Sequence, residues 1–414
     1  MSEFSHKEIF DFVSLALAAQ KEENEIVKEY RELYTRFIEF ANEEDAMDHE
    51  ADQILKMQKI GENIEMVANF QSIYGKRIGA VAGGFSAGKS SFLNGFLPPN
   101  TVKLPEAIEA KTAIPCYITC GAESISGHTP GGGKFTMTKE YFESISHDFL
   151  ASLKFNLKDI IPYITLSEPL DENMFKNLCL IDTPGYNADG SGFSDKDFET
   201  SMNHVLKADF LIWMANMEDG IISGTDVKFL NRLAQEKEFD FYVVANKANL
   251  VNDKEGVFND MKNVIKRKVD IECSGICAYN SMTNEEYMYD GVHLKDFIHE
   301  QNIASSKMYN EIENAIDEVF DAYKDAELSV KKEYDENRAL LKNIDLEMMK
   351  KKGVDEDKST DIKKLQQYFS TDKLDGYLTT IENLRKDFKK CVGKLKIKEE
   401  TDKLDSSQAI NSIF

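Results

Sequence analysis

The segment "GGFSAGKSS", residues 83–91, has the residue types and the spacing of a phosphate-binding loop. Gly83 is followed by four residues and then by Gly88, Lys89 and Ser90, and the segment lies between the apolar run "RIGAVA" and "FLNGF". Glycines let backbone N–H groups turn toward phosphate, and the N-terminus of a following helix adds positive potential. We expect the Lys89 ammonium to reach the β- and γ-phosphates and the Ser90 hydroxyl to bind Mg²⁺. The residues predicted to bind nucleotide in this loop are Gly83, Gly84, Phe85, Ser86, Ala87, Gly88, Lys89, Ser90 and Ser91.

Two further segments carry residues suited to the metal ion and the γ-phosphate. The run "LCLIDTPG" ends an apolar stretch with Asp182 and Gly185. The Asp182 carboxylate is expected to hold Mg²⁺ through water, and the Gly185 N–H is expected to meet the γ-phosphate. The segment "EAKTAIPCYI" places Thr112 in a loop, where its hydroxyl would complete the Mg²⁺ shell. The predicted metal ligands are therefore Ser90, Thr112 and Asp182.

A third segment, "FYVVANKAN", indicates which base is bound. It places Asn246, Lys247 and Asn249 after an apolar run, at the point where a GTPase reads its base. The backbone near Ala278 and Tyr279, in "ICAYNS", is expected to frame the same base. The order of these motifs along the chain favours GTP over ATP, and it predicts a P-loop protein that binds and hydrolyses GTP.

The four motifs resemble those of the dynamin superfamily, and especially those of bacterial dynamin-like proteins. "GGFSAGKSS" is similar to the dynamin-type loop, "TAIP" matches its Thr-x-x-Pro switch, and "DTPG" and "NKAN" follow in order. The resemblance covers roughly residues 76–285. It implies a large GTPase whose GTPase domains dimerise across the nucleotide, which stimulates hydrolysis and moves a helical bundle, often at a membrane. It also implies roles in hydrolysis for Ser86, Lys89 and Thr112.

The sequence departs from the family pattern where water and base are handled. Phe85 stands in place of a glutamine that positions the attacking water, and Tyr186, after the DTPG motif, also lacks an amide. We therefore expect a single chain to hydrolyse GTP slowly. Asn249 replaces the aspartate of the N-K-x-D pattern. Because an amide offers one acceptor where guanine presents two donors, the preference for guanine should weaken by about 1–3 kcal/mol.

The hydrophobic pattern predicts an α/β P-loop GTPase domain, with a mostly parallel sheet in three layers, and an α-helical bundle formed by N- and C-terminal helices. Helical spacing over residues 6–72 predicts two antiparallel helices, and helical spacing returns after residue 302. The predicted domains are residues 1–73, residues 74–300 with an insertion around 121–160, and residues 301–414. "HTPGGGKF" is interpreted as a surface loop of the insertion. Seven apolar runs predict strands: "RIGAVA", "IPCYITC", "YITLS", "NLCLID", "DFLIWMA", "FDFYVVA" and "GICAY".

The charge and hydropathy of the chain exclude several classes of protein. The 414 residues include 50 basic and 73 acidic side chains, which give a net charge of −23. This charge argues against nucleic-acid binding, because nucleic-acid phosphates require a basic surface. No run approaches the ~18 apolar residues of a membrane-spanning helix, and "MSEFSHKEIF" does not resemble a signal peptide. We therefore expect a cytoplasmic protein, with peripheral membrane contact as a further option.

One segment, "LRKDFKKCVGKLKIK" at residues 384–398, is basic within this acidic chain. Its apolar residues recur at spacings of three and four, as a helix requires for one apolar face. That face suits a helical bundle or the surface of an anionic membrane. We expect it to pack against the acidic residues 6–72, with lipid contact secondary.

The sequence is compatible with three functions. The first is a dynamin-like GTPase that acts as a homodimer through its GTPase domain, or with a longer dynamin-like partner. The second is a nucleotide-gated protein-interaction module with little hydrolysis, which Phe85 and Asn249 favour. The third is a GTPase of the immunity-related type, a class with similar length and flanking helices.

Overall fold

The computed structural model describes residues 6–19, 24–44, 46–70, 73, 75–84, 86–105, 114–130, 133–144, 157–183, 202–305, 307–350 and 356–411. Its backbone contacts divide the chain into two units. Unit 1 comprises Met1–Glu23 and Asn69–Lys307, and unit 2 comprises Asn24–Ala68 and Met308–Phe414.

Unit 1 is built on a sheet whose central strands are apolar on both faces. The strands are β1 (Arg77–Gly83), β2 (Cys116–Cys120), β3 (Ser124–His128), β4 (Lys134–Thr136), β5 (Tyr163–Glu168), β6 (Leu178–Asp182), β7 (Phe210–Asn216), β8 (Asp240–Asn246), β9 (Cys273–Asn280) and β10 (Glu285–Gly291). Within the described residues they form one sheet in the order β10-β9-β8-β7-β1-β6-β2-β5-β3-β4. β1 pairs in parallel with β6 and β7, β7 with β8, and β8 with β9. The carboxyl ends of these strands therefore lie along one edge.

The predicted fold class, an α/β P-loop domain with a helical bundle, is confirmed. All seven apolar runs form strands, while β3, β4 and β10 were not predicted. These three are short or polar, and they pair antiparallel to their neighbours, so they lack the continuous apolar character of a buried parallel strand. β10 alternates between exposed and half-buried residues along its whole length.

Helices make up the remaining regular structure of both units. They are α1 (His6–Ala19), α2 (Glu25–Glu43), α3 (Glu50–Asn69), α4 (Lys89–Asn94), α5 (Lys139–Ser144), α6 (Glu172–Phe175), α7 (Gly224–Glu236), α8 (Lys254–Lys268), α9 (Leu294–Gln301), α10 (Lys307–Lys350), α11 (Glu356–Tyr368) and α12 (Asp372–Asn411). None of the helices in the described part of the chain combines the length and the apolar character needed to span a bilayer.

The first helix differs from the sequence expectation. Residues 6–72 were predicted to form two helices, but the described residues form three, and α1 belongs to unit 1. Phe12 of α1 is 1% exposed and lies between Phe135 and Tyr141, with ring centroids 6.1 and 5.3 Å away. A Cβ at Gly133 would overlap the carbonyl oxygen of Ala19, so the turn before β4 requires glycine to admit the end of α1.

The segment "HTPGGGKF" was predicted to be a surface loop, and this was wrong at both ends. His128 ends β3, Lys134 begins β4, and the Thr129 N–H donates to the Gly133 carbonyl at 2.9 Å. His128 is fully buried, stacks on Tyr163 with ring centroids 4.5 Å apart, and has Nε2 3.0 Å from Thr165 Oγ1. Burial, with the charge of Lys134 adding to it, lowers the pKa of His128 from 6.5 to about 3.

We predict that the buried His128 makes unit 1 sensitive to acid. Its folded-state pKa lies below its unfolded value, so the unfolded chain binds more protons and stability falls by about 1.4 kcal/mol for each pH unit below about pH 6.5. Denaturant unfolding at about pH 7.5 and about pH 5.5 checks this slope in the wild type and in His128→Phe, which cannot titrate. Parallel losses of stability in both proteins would show that His128 does not carry the effect.

Unit 2 is a helical bundle with an aromatic core. Phe37 of α2 lies edge-on to Phe320 and Tyr323 of α10, with ring centroids 5.9 and 5.6 Å apart. Tyr30 of α2 lies edge-on to Phe388 of α12 at 5.3 Å. Such edge-to-face pairs add to the free energy gained from apolar burial. The three helices therefore share one core.

The basic segment packs inside this bundle, in part against residues 6–72 as predicted and in part against α10. Its apolar residues on α12, Leu384, Phe388, Cys391, Val392 and Leu395, are all buried. The charged residues between them pair with acidic residues of the same unit: Arg385 with Asp317 and Asp321, Lys389 with Asp317, and Lys394 with Glu29. Such pairs orient the helices more than they stabilise them, because most of these side chains are partly exposed.

Gly61 of α3 permits the close approach of α2. A Cβ at this position would lie 2.7 Å from Cε1 of Tyr30, whose hydroxyl donates to the Met57 carbonyl at 2.5 Å. Tyr30 is 4% exposed, so the ring has little room to move. Gly376 of α12, by contrast, has nothing within 4 Å of an added Cβ.

We predict opposite effects of the same substitution at these two glycines. Gly61→Ala should lower the free energy of unfolding of the bundle by about 1–3 kcal/mol, because the methyl group meets a fixed ring. Gly376→Ala should raise it by about 0.5–1 kcal/mol, because alanine favours an exposed helix. Denaturant unfolding monitored by circular dichroism measures both values. Stabilisation by Gly61→Ala would contradict the described packing.

Candidate nucleotide-binding site

The loop between β1 and α4 has a backbone that requires glycine at two positions. Gly83 has a φ of +151° and Gly88, the N-cap of α4, has a φ of +87°. A Cβ at Gly83 would overlap the Met214 carbonyl oxygen of β7, and a Cβ at Gly88 would overlap Nδ2 of Asn246 in β8. The spacing of the two glycines thus reflects two close approaches to neighbouring strands.

The other loop residues lie around this turn. The Gly84 carbonyl accepts a hydrogen bond from the Ala87 N–H at 3.3 Å. Ser86 is exposed and has a φ of +59°, Ala87 is buried, and Ser91 is half-buried on α4. The loop therefore curves back on itself before the helix begins.

Lys89 places a buried cation inside the loop. Lys89 is 8% exposed, and its Nζ donates hydrogen bonds to the carbonyl oxygens of Gly83 and Gly84, both at 3.2 Å. Burial lowers the pKa of Lys89 to about 8, against the opposing effect of Asp182. A buried ammonium with this environment favours an anion as its partner.

Ser90 and Asp182 meet because β6 lies beside β1. Asp182 is opposite Val81 in the parallel register, and Ser90 Oγ donates to Asp182 Oδ2 at 2.7 Å. The other carboxylate oxygen, Oδ1, is buried without a hydrogen-bond partner. Burial raises the pKa of Asp182, although the hydrogen bond from Ser90 and the charge of Lys89 act to lower it. A hydroxyl beside a carboxylate with an unsatisfied oxygen fits Mg²⁺, which takes oxygen ligands.

Asn246 joins the phosphate loop to the segment after β9. Its Nδ2 donates to the Ala87 carbonyl at 2.9 Å, and its Oδ1 accepts from the N–H and the hydroxyl of Ser281 at 3.2 and 2.8 Å. Asn246 is 2% exposed. Ser281 ends the segment "ICAYNS", in which a role was expected only for the backbone near Ala278 and Tyr279. Both polar atoms of the Asn246 side-chain amide therefore make hydrogen bonds that stabilise the loop.

The remaining predicted base residues occupy different environments. Lys247 has a φ of +61°, and its ammonium donates to Glu218 at 3.2 Å. Asn249 is exposed in the short 3₁₀ helix Ala248–Leu250. Ala278 is buried in β9, and the ring of Tyr279 packs on Phe92 of α4 with centroids 5.6 Å apart. The Tyr279 side chain therefore packs against helix α4, which follows the loop.

Asp226 is a further carboxylate beside the loop that the sequence patterns did not indicate. It closes a capping box with Ser223 at the start of α7. An added Cβ at Gly84 would lie 3.9 Å from Asp226 Oδ1, which has no hydrogen-bond partner. Burial raises the pKa of Asp226 to about 6.

Lys103 supports the far end of the phosphate-loop helix. Its ammonium donates to the carbonyl oxygens of Asn94, Leu97 and Pro98 at 3.1, 2.8 and 3.1 Å. The Asn94 amide also exchanges hydrogen bonds of 3.0 and 2.7 Å with the backbone of Leu104. A cation at a helix C-terminus is favoured by the helix dipole.

Three predicted residues lie outside the described residues. They are Phe85 of the loop, Thr112 of the "TAIP" segment and Gly185 of the "DTPG" segment. Their predicted roles stay predictions.

Comparison with known proteins assigns the arrangement to a family. A family model described as "Dynamin family" matches residues 80–248, which span the loop, Asp182 and Asn246. Residues 80–248 belong to a dynamin-family GTPase domain. The resemblance that the motifs indicated is thereby confirmed, and the helical bundle of unit 2 flanks this dynamin-family domain in sequence.

Two solved structures are also similar to the chain. One is described as an oligomerised bacterial dynamin pair that provides a mechanism for the long range sensing and tethering of membranes; it shares 19% identity, covers 88% of this chain and 54% of its own, and has a TM-score of 0.36. The other is Era in complex with MgGDPNP and nucleotides 1506-1542 of 16S ribosomal RNA; it shares 14% identity, covers 51% of this chain and 53% of its own, and has a TM-score of 0.29. The chain thus spans about half the length of both. No curated protein sequence matches it.

We predict that Asn246→Ala disrupts the site through the loop. The substitution leaves the Ala87 carbonyl and the Ser281 N–H without their side-chain partner, and it should cost unit 1 about 2–4 kcal/mol, whereas Ser281→Ala, which removes one of these bonds, should cost about 1 kcal/mol. Denaturant unfolding of unit 1 measures both. If the two variants lose equal stability, Asn246 does not hold the loop in the described way.

Proposed function

We propose that this protein is a Mg²⁺-dependent GTPase that dimerises through its GTPase domain and transmits the nucleotide state to its helical bundle. One observation supports this most: the buried ammonium of Lys89, the Ser90 and Asp182 pair and the Asn246 amide all converge on one glycine-dependent loop. Their types and places match the needs of a triphosphate, a metal ion and a base. The family match supports the same proposal.

The residues divide the work on the triphosphate. Lys89 provides positive charge for the β- and γ-phosphates, and the N-terminus of α4 orients its free N–H groups toward them. Ser90 and Asp182 would hold Mg²⁺, with Thr112 completing the shell and the Gly185 N–H meeting the γ-phosphate. The metal ion, when bound, neutralises charge that develops on the phosphate oxygens.

The proposed dimer is inferred from the lack of a side-chain amide that would position the attacking water. Phe85 carries no polar group, and Tyr186 carries no amide of the kind that orients the attacking water. A single chain would therefore be slow, and a second copy, or a longer dynamin-like partner, would complete the site. Ser86, exposed in the loop with a φ of +59°, is available to such a partner.

Membrane remodelling is the proposed role at the level of the cell, in a cytoplasmic protein with peripheral membrane contact. Support comes from the family and from the description of the bacterial dynamin pair, which concerns that pair alone. The basic segment of α12 offers limited lipid contact, because Arg385, Lys389 and Lys394 pair with acids of the bundle. A partner chain is thus the more direct route to a membrane.

A nucleotide-gated interaction module with little hydrolysis is the second candidate. The observation that favours it is Phe85, since a phenyl ring at the water-positioning place gives no hydrogen bond. In this case the helices of unit 2 would bind the partner, and GTP hydrolysis would reset the state only rarely.

We predict that GTP turnover per chain rises with protein concentration. A dimer that completes the site gives each molecule a higher rate when more of the protein is paired, so the specific rate should increase and then level off. Phosphate release measured over a wide range of concentration checks this. A specific rate that is low and independent of concentration would favour the interaction module, provided that GTP binds.

We predict that Thr112→Ala separates binding from hydrolysis. The variant retains Lys89 and should bind GTP with nearly unchanged affinity, while turnover should fall by about a hundredfold or more, since the metal shell and the water site lose a ligand. Calorimetric titration and phosphate release measure the two quantities. Equal turnover in Thr112→Ala and wild type would remove Thr112 from the proposed mechanism.

A further inference from the structure

The turns that follow β7 and β8 bring a second carboxylate to the predicted base site. Asn216 and Asn246 lie opposite each other at the ends of these parallel strands. The 3₁₀ helices Met217–Asp219 and Ala248–Leu250 follow them and pack against each other. Glu218 Oε2 accepts a hydrogen bond from Lys247 Nζ at 3.2 Å. The carboxylate of Glu218 therefore lies at the same sheet edge as Lys247 and Asn249.

Glu218 is held in place by its own turn. Its N–H donates to Asn216 Oδ1 at 3.1 Å, and Asn216 Nδ2 donates to Asp219 Oδ1 at 3.2 Å. Gly220 ends the turn with a φ of +74°, and its N–H donates to the Met217 carbonyl at 3.1 Å. Met217 is 1% exposed and anchors the turn in the core. The backbone is thus fixed, while 45% of the Glu218 side chain stays accessible to a ligand.

Asn249 leaves guanine one acceptor short. The guanine edge presents two donors, N1–H and N2–H, and a carboxylate accepts from both, whereas an amide oxygen accepts one and the amide NH₂ faces the other. Asn249 is exposed in its turn. Lys247 and Glu218, whose side chains are hydrogen-bonded to each other, lie along the same edge of the sheet. A hydrogen bond from a neutral donor to an ionised acceptor is stronger than one between neutral groups.

We propose that Glu218 reads guanine: its carboxylate accepts the hydrogen bond from the guanine edge that Asn249 cannot accept, and Lys247 keeps this carboxylate oriented. The inference rests on the proposed GTP site and adds to it a specificity-determining residue from outside the N-K-x-N motif. Adenine presents an acceptor, N1, where guanine presents N1–H, so the carboxylate of Glu218 repels adenine and binds guanine. The family pattern has an aspartate at position 249. Here Glu218, which follows the neighbouring strand β7, supplies the negative charge.

The test is a calorimetric titration of the full chain, with Mg²⁺, by non-hydrolysable analogues of GTP and ATP. Glu218→Gln removes the charge and one acceptor, and Asp219→Asn, next to it in the same turn, is the matched control. We expect Glu218→Gln to weaken the affinity for the GTP analogue about tenfold with little change for the ATP analogue. Asp219→Asn should leave both affinities unchanged. The melting temperature of each variant confirms that it is folded.

A second pair of variants provides an independent readout. Asn249→Asp restores a two-acceptor edge, and in that background Glu218→Gln should lose most of its effect on the GTP analogue, because the two carboxylates serve the same donors. If Glu218→Gln left the ratio of the two affinities unchanged, the inference about Glu218 would be overturned, while the proposed function would stand. If the wild type bound neither analogue, the proposed function would fail and the inference with it.

Discussion

Keeping an ammonium group buried next to backbone carbonyls is the constraint on which unit 1 depends. Lys89 is 8% exposed, and its pKa is lowered to about 8 by burial. An isolated buried charge of this kind is costly, so the surroundings must supply oxygen atoms in the right places. The carbonyl groups of Gly83 and Gly84 and the nearby Asp182 do so. Because these groups sit at the ends of β1 and β6, the register of the sheet determines whether the charge is tolerated.

The same constraint explains the polar network around the loop. Two glycines bring the loop so close to β7 and β8 that no side chain fits between them. Asn246 then closes the gap with hydrogen bonds to Ala87 and Ser281, which connect the loop with the segment after β9. Lys103 fastens the other end of α4. The loop is therefore held at three points, and a ligand meets a preformed cradle.

Sequence patterns predicted the parts of this arrangement that depend on one segment at a time. Seven of the ten strands of the described residues could be predicted because buried parallel strands are apolar on both faces. The meeting of Ser90 with Asp182 followed because the carboxyl ends of parallel strands share an edge. The sequence patterns did not indicate the positions of Ser281, Asp226 and Glu218, since these arise from contacts between loops that no spacing encodes. The place of α1 was missed for a related reason: an amphipathic pattern shows which face of a helix is buried, but not against which surface.

We propose that the buried charge of Lys89 serves to bind a triphosphate. The most direct measurement is the melting temperature of wild type and Lys89→Met, each with and without GTP and Mg²⁺. Lys89→Met should melt at a higher temperature than wild type without nucleotide, because an apolar chain of similar length replaces a buried ammonium. GTP should raise the melting temperature of the wild type alone, since a ligand stabilises only a protein that binds it. An equal rise in both proteins would contradict the claim.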